Sequence, residues 1–332
     1  MLKKAIPTKT YKRMITFAKI IKTNNQNYNN MRLDGRRESS NVEDRRGMSG
    51  GAKAGMGIGG IILVGIITLL MGSNMGVGII ALLTGGNMDD VINNVDQQMT
   101  QVQEATPDNV QREFTEEEQA QAKFCRQVLA STEDVWTAVF QKMGRTYTPP
   151  TLVLFTNSVQ SACGGATAAV GPFYCSGDQK LYIDLSFFQQ MENQLGAEGD
   201  FARAYVIAHE VGHHVENLLG ILGKAHQQMN QTDKVTANKI SVRLELLADY
   251  YSGVWAHYED EAFGSLDAGD MREAINCAHQ IGDNYLQKTQ RGYVQPESFT
   301  HGTSEQRMKW LKLGYDTGNM NTSTFNVSES EL

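Results

Sequence analysis

Apolar and small residues at Phe201, Tyr205, Ala208, Gly212, Val215 and Leu219 recur at spacings of three and four, which predicts an amphipathic helix over Phe201–Gly220 with Gly220 closing it. A second helix follows at Arg243–Tyr258, where Leu244, Leu247, Tyr251 and Val254 or Trp255 share one apolar face. Upstream, Thr115–Gly144 also reads as helix: Thr115 and Glu118 have capping-box spacing, and Phe124, Val128, Val135, Val139 and Phe140 supply the apolar positions. Two stretches, Thr151–Asn157 and Lys180–Phe188, have strand character and flank a glycine-rich segment. Met271–Gly292 predicts one further helix, and the segment from Phe299 to Asn319 another, with Ser304 as its cap. Strands followed by a run of helices predict an α+β domain over residues 113–320, with a polar, mobile tail at 321–332.

One stretch fits none of these periods. No charged residue lies between Lys53 and Asp89, and Gly57–Leu83 is apolar for longer than the roughly 20 residues a bilayer-spanning helix needs. A cleaved signal peptide has a shorter apolar region, so residues 54–84 predict a transmembrane signal-anchor helix. Residues 85–112, rich in Asn, Gln and Asp, read as a linker.

Charge sharpens this organisation. Residues 1–53 hold 13 Lys and Arg against 4 Asp and Glu, a net of +9, so the remainder carries −16 within the overall −7. With the cations before the span and Asp89, Asp90 and Asp96 after it, the positive-inside rule makes 1–53 a basic cytoplasmic segment and sends the domain outside the cytoplasm. This partner is the lipid bilayer and not nucleic acid. Residues 1–30 are either an upstream mis-start or a basic segment at the inner leaflet. Gly51, Gly55 and Gly59, and Gly72 and Gly76, have the small-xxx-small spacing that lets two membrane helices pair into a homo-oligomer.

Chemistry concentrates in the Phe201–Gly220 helix, which contains His209-Glu210-Val211-Gly212-His213. Two imidazoles four residues apart lie one turn above the other on the same side of a helix and can share one Zn²⁺, with Glu210 beside the metal as general base. In the next helix Glu245 and Asp249 stand one turn apart on a face of their own. Glu245 completes a His₂Glu set that leaves a fourth position for water, and Asp249 is placed to accept the free ring N–H of a ligand histidine. Glu-x-x-x-Asp alone usually marks a solvated helix face; following H-E-x-x-H it predicts a metal site. Hydrolysis needs a donor for the oxyanion, and His301, at a helix entrance, is the candidate, with a capping or surface histidine as the competing assignment. His214, His226, His257 and His279 read as structural or exposed.

The pair H-E-x-x-H and E-x-x-A-D resembles that of the gluzincin metallopeptidases. The wider text, MRLDGRRESSNVEDRRG, CGGATAAVGPFYC, LYIDLSFF, HEVGHHVENLLG, SVRLELLADYYSGVWAHY and FTHGTSEQRMKWLKLGY, is similar to the bacterial neutral zinc metallopeptidase family from Met31 to about Gly318. The resemblance implies a membrane-anchored peptidase of zincin-like fold acting on peptide or protein substrates, with one zinc on His209, His213 and Glu245 and with Glu210 as base. In such folds a strand beside the active-site helix runs along the substrate, and Gly164–Tyr174 is the candidate stretch. A zinc-stabilised extracytoplasmic binding or scaffold module without turnover is the alternative from another class.

Cys125, Cys163, Cys175 and Cys277 all follow the apolar run, and their even number beyond it suits disulfides; no C-x-x-C spacing points to a cysteine metal site. Cys163 with Cys175, and by remainder Cys125 with Cys277, is the preferred one of three connectivities.

Overall fold

The structure is a computed structural model that describes residues 31–47, 113–167, 170–267 and 269–332. The predicted span at 54–84, its glycine spacings, the linker and residues 1–30 lie outside the described residues. Among the described residues no helix is long and apolar enough to cross a membrane.

A four-stranded sheet forms one layer, in the order β1 (Val42–Asp44), β2 (Thr151–Phe155), β6 (Lys180–Asp184), β5 (Phe173–Cys175). β1, β2 and β6 run parallel, while β5 pairs antiparallel with β6 through Phe173↔Tyr182 and Cys175↔Lys180. Alternation assigns the faces. Leu152, Leu154, Leu181 and Ile183 join the main helical core, whereas Val153, Phe155 and Tyr182 pack under a small hairpin of β3 (Ser158–Ser161) and β4 (Gly164–Thr167). β2 is buried on both faces from Leu152 to Phe155, and that stretch, LVLF, is continuously apolar.

Helix α1 (Glu116–Lys142) begins with the predicted capping box of Thr115 and Glu118. After β6 come a short α2 (Ser186–Gln190) and a π-type turn (Met191–Leu195), so the second strand ends four residues before the expected Phe188. The helical layer is then α3 (Asp200–Leu218), α4 (Ile221–Met229), α5 (Lys234–Phe263), α6 (Asp270–Gln280), α7 (Asp283–Arg291) and α8 (Ser304–Thr317). The expected single helix over 271–292 is broken at Gly282, where a β-carbon would stand 2.4 Å from the Ser304 main-chain nitrogen. Thr303, not Ser304, caps α8, in a capping box with Gln306; the Ser304 hydroxyl donates instead to the His279 carbonyl (2.7 Å).

Two glycine contacts fix how the helices approach. A β-carbon on Gly212 of α3 would lie 2.8 Å from the Ala248 carbonyl oxygen and 2.9 Å from its Cα, so backbone meets backbone between α3 and α5. Between α5 and α8 the contact is reciprocal: Gly253 faces the Leu311 carbonyl and Gly314 faces the Tyr250 carbonyl, each leaving only 2.1 Å to a hypothetical β-carbon.

Both ends of the expected domain need correction. Residues 31–47, expected as part of a separate basic segment, belong to the fold: β1 lies at the sheet edge, Met31 and Leu33 enter the main core, and Arg36 donates to Glu259 (2.7 Å), a carboxylate with no exposed surface. Arg37 pairs with Glu133 and Asp134, and the Ser39 hydroxyl and Asn41 amide donate to Glu133. A strand hydrogen-bonded to β2 stands on the same side of any membrane as β2. The tail at 321–332 is also docked. Thr324 is buried with its hydroxyl donating to the Arg243 carbonyl (2.6 Å), and Trp310 Nε1 donates to the Leu332 carbonyl (3.2 Å).

Cys163 and Cys175 are bonded as expected. Cys125 on α1 and Cys277 on α6 are instead free thiols, both fully buried among core side chains, so pairing them by remainder was wrong. Burial pushes each thiol up to about 12.

Removing Arg36 leaves Glu259 as a buried charge with only the Ser131 and Ser265 hydroxyls as donors. Arg36→Ala is expected to cost on the order of 3 kcal/mol. Arg32→Ala, which loses an exposed pair with Asp267, should cost less than about 0.5 kcal/mol. Thermal unfolding of the two variants checks the contrast, and equal effects would refute it.

Candidate metal centre

Helical periodicity places His209 and His213 one turn apart on α3, and the Gly212–Ala248 contact holds α5 close enough to present Glu245 between them. Glu245 Oε2 lies 3.2 Å from His209 Nε2, and its Oε1 lies 3.6 Å from His213 Nε2. One ligand atom from each of the three residues falls within 4.8 Å of the others, all in buried side chains.

The ring orientations are set from behind. His209 Nδ1 donates to Asp249 Oδ1 (2.8 Å), the partner expected for a ligand histidine. His213 Nδ1 donates to Glu216 Oε2 (2.9 Å), a contact not anticipated in the sequence reading although Glu216 stands three residues on along the same helix. With both Nδ1 atoms carrying hydrogen, both Nε2 atoms turn lone pairs toward the Glu245 carboxylate. Two lone pairs facing one carboxylate require a positive charge between them. Accordingly His213 Nε2, Glu245 Oε1 and Glu210 Oε2 are buried without a hydrogen-bond partner. Two imidazoles and one carboxylate oxygen are the donor set of a tetrahedral zinc with one open position, and these residues fit such an ion.

Without metal, protons answer the same demand. Burial opposes the His209 imidazolium, but the Asp249 charge and the hydrogen bonds from Asp249 and Glu245 raise it to about 10. For Glu245 burial disfavours ionisation, yet the charges of His301 and His213 and the His209 contact carry it down to about 2. Burial lifts Glu216 to about 7 and also raises Glu210, whose carboxylate receives the main-chain N–H of Tyr174 on β5.

Asp249 is itself held by a residue absent from the sequence-derived site, Arg307 of α8. Arg307 Nε and Nη2 donate to Asp249 Oδ2 and Oδ1 (2.8 and 2.9 Å), and both groups are fully buried. Tyr205 completes the cluster: its hydroxyl donates to Asp249 Oδ1 (2.6 Å) and accepts from Arg307 Nη2 (3.2 Å). The Gly253 and Gly314 contacts bring α8 in to this depth.

His301 is placed by Asp283 at the start of α7. One oxygen of Asp283 accepts the main-chain N–H groups of Thr300, His301 and Gly302 (2.8, 2.7 and 3.0 Å), and the other lies 3.3 Å from His301 Nδ1. The ring is buried and its Nε2 has no partner. Burial works against its charged form, but the charges of Glu245 and Asp283 outweigh it and raise its pKa. By contrast His214 is structural, with Nε2 donating to the Thr148 carbonyl (2.7 Å) and Nδ1 accepting from the Tyr174 hydroxyl (3.0 Å); burial pulls it down to about 4.

A narrow apolar recess adjoins Glu210 and His209, walled by Val170, Pro172, Phe187, Met191 and Cys277. The stretch Gly164–Tyr174, expected as one substrate strand, is divided: β4 pairs with β3 in the hairpin, and only β5 belongs to the main sheet, at its edge. The Cys163–Cys175 bond ties the hairpin to that edge.

The family model described as "Putative neutral zinc metallopeptidase" matches residues 31–325. The chain is 45% identical over 295 residues to "Uncharacterized protein YpfJ" of Escherichia coli (strain K12), covering 87% of this chain and 96% of that one. It is 41% identical over 216 residues to "Uncharacterized protein Rv2575" of Mycobacterium tuberculosis, covering 62% and 71%. No solved structure matches.

Two outcomes follow from this geometry. Zinc entering near neutral pH must displace the His209 proton, so its Kd should fall by about tenfold per pH unit between pH 6 and 8; chelator-competition titrations measure this, and an affinity that rises with falling pH would contradict it. Gly212→Ala wedges a methyl group between α3 and α5. It should cost about 1–3 kcal/mol of stability and reduce bound zinc, as read by melting and metal analysis.

Proposed function

The chain belongs to the neutral zinc metallopeptidase family, and on that footing we propose that it hydrolyses peptide bonds of peptide or protein substrates at the His209, His213 and Glu245 centre. The observation that carries this reading is the convergence of three ligand atoms beside a buried carboxylate, Glu210, with one oxygen unpaired. Zinc bound there would polarise a peptide carbonyl and lower the pKa of water toward about 7.

The protein's own groups do the rest. Glu210 accepts the proton from the attacking water and delivers it to the departing amine, and the rise in its pKa through burial suits a carboxyl that must do both. His301, with a buried and unpaired Nε2 and a pKa raised by Glu245 and Asp283, is the donor for the developing oxyanion. Asp249 and Glu216 fix the ligand tautomers, and Arg307 fixes Asp249. The recess beside Glu210 accepts an apolar side chain of the substrate. The Cys163–Cys175 disulfide supports an extracytoplasmic domain, and the charge-free run within residues 54–84 supports attachment to the bilayer.

Glu210→Gln should retain zinc and the wild-type melting temperature while turnover of a mixed quenched-peptide library falls by at least about 10². His301→Ala should also retain zinc and lose about 10² in kcat with little change in KM. Full turnover by Glu210→Gln would sink the mechanism. Zinc-loaded wild type that cleaves nothing in the library or in a cell-envelope proteome would favour the binding-module reading.

A further inference from the structure

The recess beside Glu210 has a free volume of about 30 Å³. That is room for about two water molecules, whereas a dry cavity that takes a benzene ring measures about 150 Å³. A methyl group fits this space, and a leucine or phenylalanine side chain does not. Chemistry narrows the occupant further. Val170, Pro172, Phe187, Met191 and Cys277 face the space, and Arg307, which also borders it, commits its guanidinium to Asp249, Tyr205 and the Ile281 carbonyl. A polar side chain entering here would leave its donors and acceptors unpaired.

The lining also says which substrate residue this is. Glu210 and His209 border the recess, while Glu245, His213 and His301 do not. On the peptidase reading Glu210 delivers a proton to the departing amine, so the recess receives the side chain of the residue that carries that amine.

Both walls are held firmly enough to keep the space small. Val170 and Pro172 lie within the loop closed by the Cys163–Cys175 bond. Tyr174, beside that bond, ties the loop to α3: its hydroxyl donates to His214 Nδ1 (3.0 Å) and accepts from Asn217 Nδ2 (3.1 Å). On the other side Met191 opens the π-type turn with no exposed surface, and Cys277 is equally enclosed on α6. Close packing behind these two leaves them no room to retreat. Met191 is long and unbranched, so truncating it deepens the space.

We propose that the chain cleaves peptide bonds on the amino side of small apolar residues, alanine above all, and that Met191 sets this size limit against a wall held by the Cys163–Cys175 bond. This rests on the peptidase reading and narrows its substrate class.

The test uses the full chain loaded with zinc and a series of quenched peptides, built on a sequence the mixed library shows to be cut. The peptides are identical except at the residue carrying the departing amine, which is Gly, Ala, Leu or Phe, and mass spectrometry locates each cut. For wild type, kcat/KM with Ala should exceed that with Leu or Phe by at least about 10²-fold and that with Gly by about tenfold. Met191→Ala should keep its zinc and lower the Ala-to-Leu ratio by at least about tenfold, by raising the Leu value. A merely structural role for Met191 would depress all four peptides alike. Met191→Val, a smaller truncation, makes the same comparison should the alanine variant fail to fold, and an unchanged ratio would overturn the role of Met191. Cys163→Ser with Cys175→Ser should also lower the ratio, and an unchanged ratio there would remove the disulfide from the account. Wild type that cuts before Leu or Phe as readily as before Ala would overturn the size limit and leave the peptidase reading standing. Wild type that cuts nothing in the mixed library would remove that reading and the proposal with it.

Discussion

Helices α3 and α5 meet backbone to backbone at Gly212 and Ala248, and everything at the metal centre depends on that contact. The residues on either side of it are the working ones: His213 follows Gly212, and Asp249 follows Ala248. Any side chain larger than hydrogen at position 212 would act on the Ala248 carbonyl and Cα, atoms that cannot rotate away. The glycine pair of α5 and α8 repeats the device one layer out and lets a guanidinium reach a carboxylate in the interior. Buried charge is tolerated at this depth only because it is paired: Asp249 receives His209, Tyr205 and a two-pronged Arg307.

The centre is thus assembled from three helices whose spacing is set by absent side chains, and its electrostatics are set by pairing. Each imidazole is oriented by a carboxylate behind it, and one of those carboxylates is oriented in turn by an arginine from a third helix. Such tiers hold a ring orientation before metal arrives, so little rearrangement accompanies binding.

The metal ligands were legible in the sequence because helical geometry is local: residues four apart share a face whatever surrounds them, and Glu245 and Asp249 follow the same rule on a second helix. The helix beginning at Glu116 was legible for the same reason, through a capping box written in four residues. What escaped depends on distant contacts. Arg307 looks like any polar residue of an amphipathic helix until α8 is docked, and Glu216 looks like solvent-facing helix until α3 is enclosed. The break at Gly282 exists because Ser304 approaches there, and no local pattern announces it. Cys125 and Cys277 were paired by counting, yet both are core fillers. Residues 31–47 escaped as well: their arginines, next to an apolar run, read as part of a separate basic segment, while the carboxylates that pair with them lie as far on as Asp267.

The parallel pairing of β1 with β2 also has a consequence for how the chain is made. Val42 meets Leu152, and Arg36 meets Glu259, so an early portion of the polypeptide finds its partners only after most of the rest has been synthesised. Such long-range closure is slow relative to the local formation of α1 or α3. Until then Met31, Leu33 and the strand edge have nothing to cover them. Maturation of this protein therefore has a late step in which a waiting N-terminal strand is captured, and chaperones or proteases acting on nascent chains have that interval in which to recognise it.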